Sequence, residues 1–128
     1  MGVGNTDSST PVDANCNKNQ YTIRYGGGNN EICGSTIADK VKVDDQFHVF
    51  KLKYTHSTTT MEFYIDNIHI ETRNLGGAMT IEALTLFSNR GRNKAAASEI
   101  GEMFLLSSHL STEDSETLGA YLLCKYQD

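Results

Sequence analysis

The chain has 128 residues, 38% of them apolar and 21% charged, which fits one ordinary globular core and excludes disorder as its explanation. Its 11 Lys and Arg against 16 Asp and Glu give a formal charge of −5, and the basic residues are scattered, so nucleic acid is not an expected partner. No apolar run approaches the length needed to cross a bilayer, and membrane insertion is not expected either.

Residues 1–20 are rich in Asn, Ser, Thr, Asp and Gly, hold the single proline, Pro11, and read as an irregular N-terminal arm. Met1-Gly2-Val3-Gly4 supplies neither a basic n-region nor an apolar h-region, so no secretory signal is expected there. A single domain over residues 21–128 follows. Tyr21 to Tyr25 alternates apolar and polar side chains as a strand does, Gly26-Gly27-Gly28-Asn29-Asn30 turns the chain, and Glu31 to Ile37 returns.

The clearest periodicity runs from Phe47 to Tyr54, with Phe50, Leu52 and Tyr54 on one face and lysines on the other. After a polar turn at Thr55 to Thr60, Met61, Phe63 and Ile65 alternate with Glu62, Tyr64 and Asp66. Asp66-Asn67 suits a two-residue hairpin turn because Asp and Asn tolerate positive φ, and Ile68, Ile70 and Thr72 alternate beyond it. Strands are therefore expected near residues 47–55, 61–66 and 68–73, and further strands near 81–87 and 99–106. The last, around Ile100 to Leu106, is apolar enough to predict burial on both faces.

The period then changes. Leu118, Tyr121, Leu122 and Lys125 fall at i, i+3, i+4 and i+7, which predicts a helix over 112–125 lying on a surface by Leu118 and Leu122. Ser111 is placed to cap it with Asp114 at the third helical position, and acidic residues stand at the positive end of the helix dipole.

Three cysteines, Cys16, Cys33 and Cys124, show no C-x-x-C spacing and no histidine at metal-ligand distance, so no zinc site and no cofactor are expected. Cys16 and Cys33 can close a disulfide loop in an oxidising compartment, and otherwise serve as small hydrophobes. No Asn-x-Ser/Thr glycosylation acceptor occurs. The loop Asn89-Arg90-Gly91-Arg92-Asn93-Lys94 is the best polar candidate for a ligand site, since Asn89, Arg90, Arg92 and Asn93 can make paired hydrogen bonds; a solvated loop is the simpler reading.

The run Ile100-Gly101-Glu102-Met103-Phe104-Leu105-Leu106, then His109-Leu110-Ser111, then Tyr121-Leu122-Leu123-Cys124-Lys125-Tyr126 resembles the closing strand and helix of the concanavalin A-like, laminin-G-like jelly-roll superfamily. Phe47 to Tyr54 followed by Phe63-Tyr64-Ile65-Asp66-Asn67 is similar to that family's strand pair, with Asn67 in place of a turn glycine. The resemblance covers residues 45–126 and implies an all-β antiparallel sandwich closed by one C-terminal helix. Two departures matter: such sandwiches run to roughly 200 residues, and the family's opening strand pair has no counterpart before Tyr21. The expectation is a trimmed sandwich, or a fragment completed by other chains.

Lectins, adhesion modules, glycan hydrolases and phage tail or capsid components share that fold, so function must come from a site. The Glu-x-Asp-x-x-Glu strand that the resemblance would demand of a glucanase is missing; the nearest acids, Glu62, Asp66 and Glu71, have other spacings, and the four histidines form no recognisable catalytic pairing. No tryptophan offers a sugar platform. The expected function is a non-catalytic structural module, such as a virion, phage tail or coat-associated protein or a component of an extracellular surface, with other protein chains as partners. A lectin-like carbohydrate-binding module is the alternative.

Overall fold

In a computed structural model of the chain, residues 46–80 and 99–127 are described in full, with the strand backbone at 2–5, 21–24, 31–32 and 85–86. The chain forms two compact units, Met1–Asp44 with Met79–Ser98, and Asp45–Ala78 with Glu99–Asp128.

The first unit holds a four-stranded sheet of β1 (Gly2–Asn5), β2 (Tyr21–Arg24), β3 (Glu31–Ile32) and β7 (Thr85–Leu86), in the order β3-β2-β1-β7. β2 pairs antiparallel with β3, as the alternation at Tyr21 and the glycine turn after it predict, and also antiparallel with β1. Two features depart from expectation. The N-terminal arm opens with a strand, and β1 runs parallel to β7 rather than antiparallel. A long connection lets two strands meet in either sense, so alternation alone cannot tell them apart. The candidate loop residues Asn89, Arg90, Arg92 and Asn93, and the proposed Cys16–Cys33 bridge, lie outside the described residues.

The second unit is built on a three-stranded antiparallel sheet, β4 (Phe50–Thr55), β5 (Thr60–Ile65) and β6 (Ile68–Asn74), with β5 in the centre. Its register places Phe50 opposite Ile65, Leu52 opposite Phe63 and Tyr54 opposite Met61, so the apolar sets of both strands share one face. Met61, Phe63 and Ile65 are fully buried, and the rings of Phe50 and Phe63 stack with centroids 6.4 Å apart. The β4–β5 connection places Thr59 at φ 51°, a left-handed conformation unusual for a β-branched residue. Asp66 and Asn67 carry φ values of 52° and 63°, as a type I′ hairpin requires.

Along β6 the simple alternation fails. Phe63 faces Glu71 but Tyr64 faces His69, so Ile70 is the extra residue of a β-bulge. The bulge turns Ile70 into the core, leaves Ile68 exposed, and sets Thr72 opposite Glu62 on the polar face.

A single helix in the described residues, α1 (Thr112–Tyr126), ends the chain. Ser111 Oγ accepts a hydrogen bond from the Asp114 amide at 3.0 Å, the N-cap that the sequence predicts, and its hydroxyl donates to Asp114 Oδ2 at 2.7 Å. Leu118 and Leu122 are half-buried, Tyr121 is exposed, and the buried residue of the helix is Gly119. A methyl group at Gly119 would overlap the Asn67 amide, so the helix approaches the hairpin turn at the one position where it has no side chain. No described helix is long and apolar enough to cross a membrane.

The expected strand over 99–106 is not formed. Residues 99–110 run as coil without a ladder partner among the described strands, and all twelve are exposed. Ile100, Met103, Phe104, Leu105 and Leu106 are 53, 61, 49, 87 and 53% exposed. A strand needs a neighbour for its backbone groups, and an apolar run signals only the demand for cover, not its source.

Candidate functional site

The face of the three-stranded sheet opposite the core is polar by alternation. Register sets Lys51 beside Tyr64 and Lys53 beside Glu62, and β6 adds His69 and Thr72 next to Tyr64 and Glu62. Lys53 Nζ lies 3.2 Å from Glu62 Oε2, and the Tyr64 hydroxyl donates to Glu62 Oε1 at 3.0 Å. Lys51 Nζ sits 4.6 Å above the Tyr64 ring, within cation–π range, and donates to Asn67 Oδ1 at 3.4 Å. The His69 ring meets Tyr64 edge-on at 5.2 Å and its Nε2 stands 2.9 Å from Thr72 Oγ1.

Where this face meets the first turns of α1 a cleft of about 70 Å³ opens, with Lys51, Lys53, Tyr64 and Asn67 on the sheet side. Leu110, Thr112, Ser115 and Glu116 close the helix side. Asn67 joins the two walls, since its Nδ2 donates to the Glu116 carbonyl at 3.1 Å.

Partial burial and hydrogen bonding together set the titration of these groups. It lowers the Lys51 ammonium below its ordinary range, against the pull of Glu116 and Glu62, and raises the Tyr64 phenol, which its bond to Glu62 raises further. For Glu62, burial pushes upward but is outweighed by the hydrogen bonds from Lys53 and Tyr64, so the carboxyl sits below its ordinary value. Such a cleft presents cation, hydroxyl, amide and carboxylate groups of nearly balanced charge. It suits a small neutral polar molecule better than an anion, because Glu113 and Asp114 already occupy the positive end of the helix and Glu116 lines the cleft.

The acids nearest to a hydrolytic set are held apart by separate partners. Glu62 is bound to Lys53 and Tyr64, Glu71 to Arg73 Nε at 2.5 Å, and Asp66 to the Val49 amide at 2.9 Å and to His48 Nδ1 at 2.6 Å. The Asp66–His48 pair was not legible from motif spacing, though register could have found it: Phe50 opposite Ile65 brings the residues before β4 to the turn after β5. Its geometry is that of a brace, since Asp66 also donates its own amide to the Val49 carbonyl at 2.9 Å. Among the described residues no group of three or more His, Cys, Asp or Glu is arranged to hold a metal ion.

A second cluster ties the exposed 99–110 segment to the end of the helix. Glu102 accepts from Lys125 and from the Tyr126 hydroxyl, the latter at 2.9 Å, which lowers the Glu102 carboxyl and raises Lys125 and Tyr126. Gly101 lies against the Tyr126 ring, where a methyl would stand 2.6 Å from the ring carbons. His109 Nε2 reaches the Tyr54 carbonyl at 2.7 Å, and Gln127 donates to the Phe47 carbonyl at 2.6 Å. Cys124 is exposed with a free thiol.

Comparison of the chain with known protein families, with characterised proteins and with solved structures finds no match.

Proposed function

We propose that the chain is a non-catalytic structural module of the concanavalin A-like, antiparallel jelly-roll type that works by association with other protein chains, as a component of a virion, phage tail or extracellular surface. The observation that carries this reading is the exposed apolar run from Ile100 to Leu106, since monomeric soluble proteins seldom leave a contiguous apolar patch of this kind to water. The separate engagement of Glu62, Asp66 and Glu71 supports the non-catalytic part, and the formal charge of −5 favours protein partners over nucleic acid. Sedimentation velocity of the full chain over a wide concentration range tests it. Concentration-dependent association is expected; a chain that remains a monomer at high concentration and also protects the amides of residues 100–106 from hydrogen exchange contradicts the reading.

A carbohydrate-binding module is the second reading, and the cleft between Lys51, Tyr64 and Glu116 favours it, because sugar hydroxyls need mixed donors and acceptors of this kind. A rise in melting temperature with millimolar mono- or oligosaccharide supports the second reading over the first.

A further inference from the structure

We infer that the run Ile100–Leu106 is a self-complementary seam, pairing antiparallel with the same run of a second copy of this chain. The inference rests on the assembly reading and names its partner.

Area comes first. Fully exposed aromatic side chains present roughly 150–250 Å² each, and Ile, Leu and Met somewhat less. At the observed exposures, Ile100, Met103, Phe104, Leu105 and Leu106, with Tyr121 alongside on α1, offer on the order of 600 Å² per copy, so a pair buries on the order of 1,200 Å², the lower end of the range for a specific interface. Tyr121 belongs to the same patch because Lys125, bonded to Glu102, lies 5.6 Å from its ring centroid.

Charge then selects the partner. The lone charge within the run, Glu102, is already paired with Lys125 and accepts a hydrogen bond from Tyr126 of its own chain. An antiparallel two-fold centred on Met103 sets Glu102 opposite Phe104 and Gly101 opposite Leu105, and the flanking Glu99 opposite Ser107, so no like charges meet. A two-fold contact requires a patch complementary to itself, and an apolar segment with its charge satisfied internally meets that condition. The run also contains no proline, so no amide donor is missing at the alternate positions that would face the new ladder.

Sedimentation equilibrium of the full chain and of Leu105→Lys decides the matter, with Ile68→Lys as a control that charges an exposed apolar residue on the hairpin. Leu105 is the most exposed of the run, so its substitution leaves the fold intact, which the helical circular dichroism signal verifies. The expected result is a reversible dimer for the wild type and for Ile68→Lys, with the association constant of Leu105→Lys at least tenfold lower. Association undiminished in Leu105→Lys overturns the seam while leaving the assembly reading intact. A wild type that never associates overturns the seam, and overturns the assembly reading as well when hydrogen exchange shows the 100–106 amides protected in the monomer.

Discussion

The hairpin sheet and the segment that follows it in space differ in one respect that explains most of the molecule. Between Phe50 and Asn74 apolar and polar residues alternate, and the structure uses that alternation to bury Met61, Phe63 and Ile65 and to display Lys51, Lys53, Glu62 and Tyr64. Between Ile100 and Leu106 apolar residues stand side by side, and the structure leaves them exposed. Alternation specifies which face is covered and in what register, because a one-residue slip would reverse every side chain. A continuous apolar run specifies neither a face nor a partner.

The contrast is broken most directly by truncation. Phe63→Ala removes a fully buried ring and is expected to cost about 3–5 kcal/mol in chemical denaturation, whereas Leu105→Ala, measured in dilute protein, should fall within about 0.5 kcal/mol of wild type. Comparable losses would mean that Leu105 is covered in the isolated chain.

The docking of α1 on the hairpin turn is sharpened by Gly119→Ala. Alanine is favoured over glycine within a helix by about 1 kcal/mol, yet here its methyl would meet the Asn67 amide. Overpacking of about 1–3 kcal/mol is expected to prevail, giving net destabilisation; a stabilised variant would show that the helix does not rest on Asn67.

At the start of that helix, Ser111→Ala should lower stability by about 1 kcal/mol through loss of the bond to the Asp114 amide. An unchanged melting curve would place the cap elsewhere.

The smallest effect is a pH dependence. Glu62 has a folded pKa below its ordinary value of 4.5, so its contribution is fully present above that pH and is lost as pH falls through the lower folded value. The pair with Lys53 is partly exposed, so the contribution is under about 1 kcal/mol. Wild type should therefore lose slightly more stability than Glu62→Gln between neutral pH and pH 3. Identical slopes would remove Glu62 from the polar face.

Legibility in the sequence follows the same division. The three strands of the hairpin sheet, the Asp66-Asn67 turn and the Ser111 cap were readable because each depends on residues close in sequence. The bulge at Ile70 was not, because Ile68, Ile70 and Thr72 keep a perfect alternation that only pairing with β5 interrupts. The cleft was half readable: alternation put Lys51, Lys53 and Tyr64 on one face, while the role of Asn67 as the link to α1 depends on a contact 49 residues away. Gly119 within an otherwise helical stretch was the available signal of close approach. The expected burial of Ile100 to Leu106 failed because cover is a property of the surroundings, which an apolar run does not encode.

Hydrogen exchange followed by mass spectrometry, at low and high protein concentration, tests the contrast between the two regions most directly. In dilute solution the amides of β5 should exchange slowly and those of residues 100–106 fast, and on concentration the second set alone should become protected. Equal protection of the two segments in dilute protein would contradict the account, since residues 100–106 would then be a paired strand of the isolated chain.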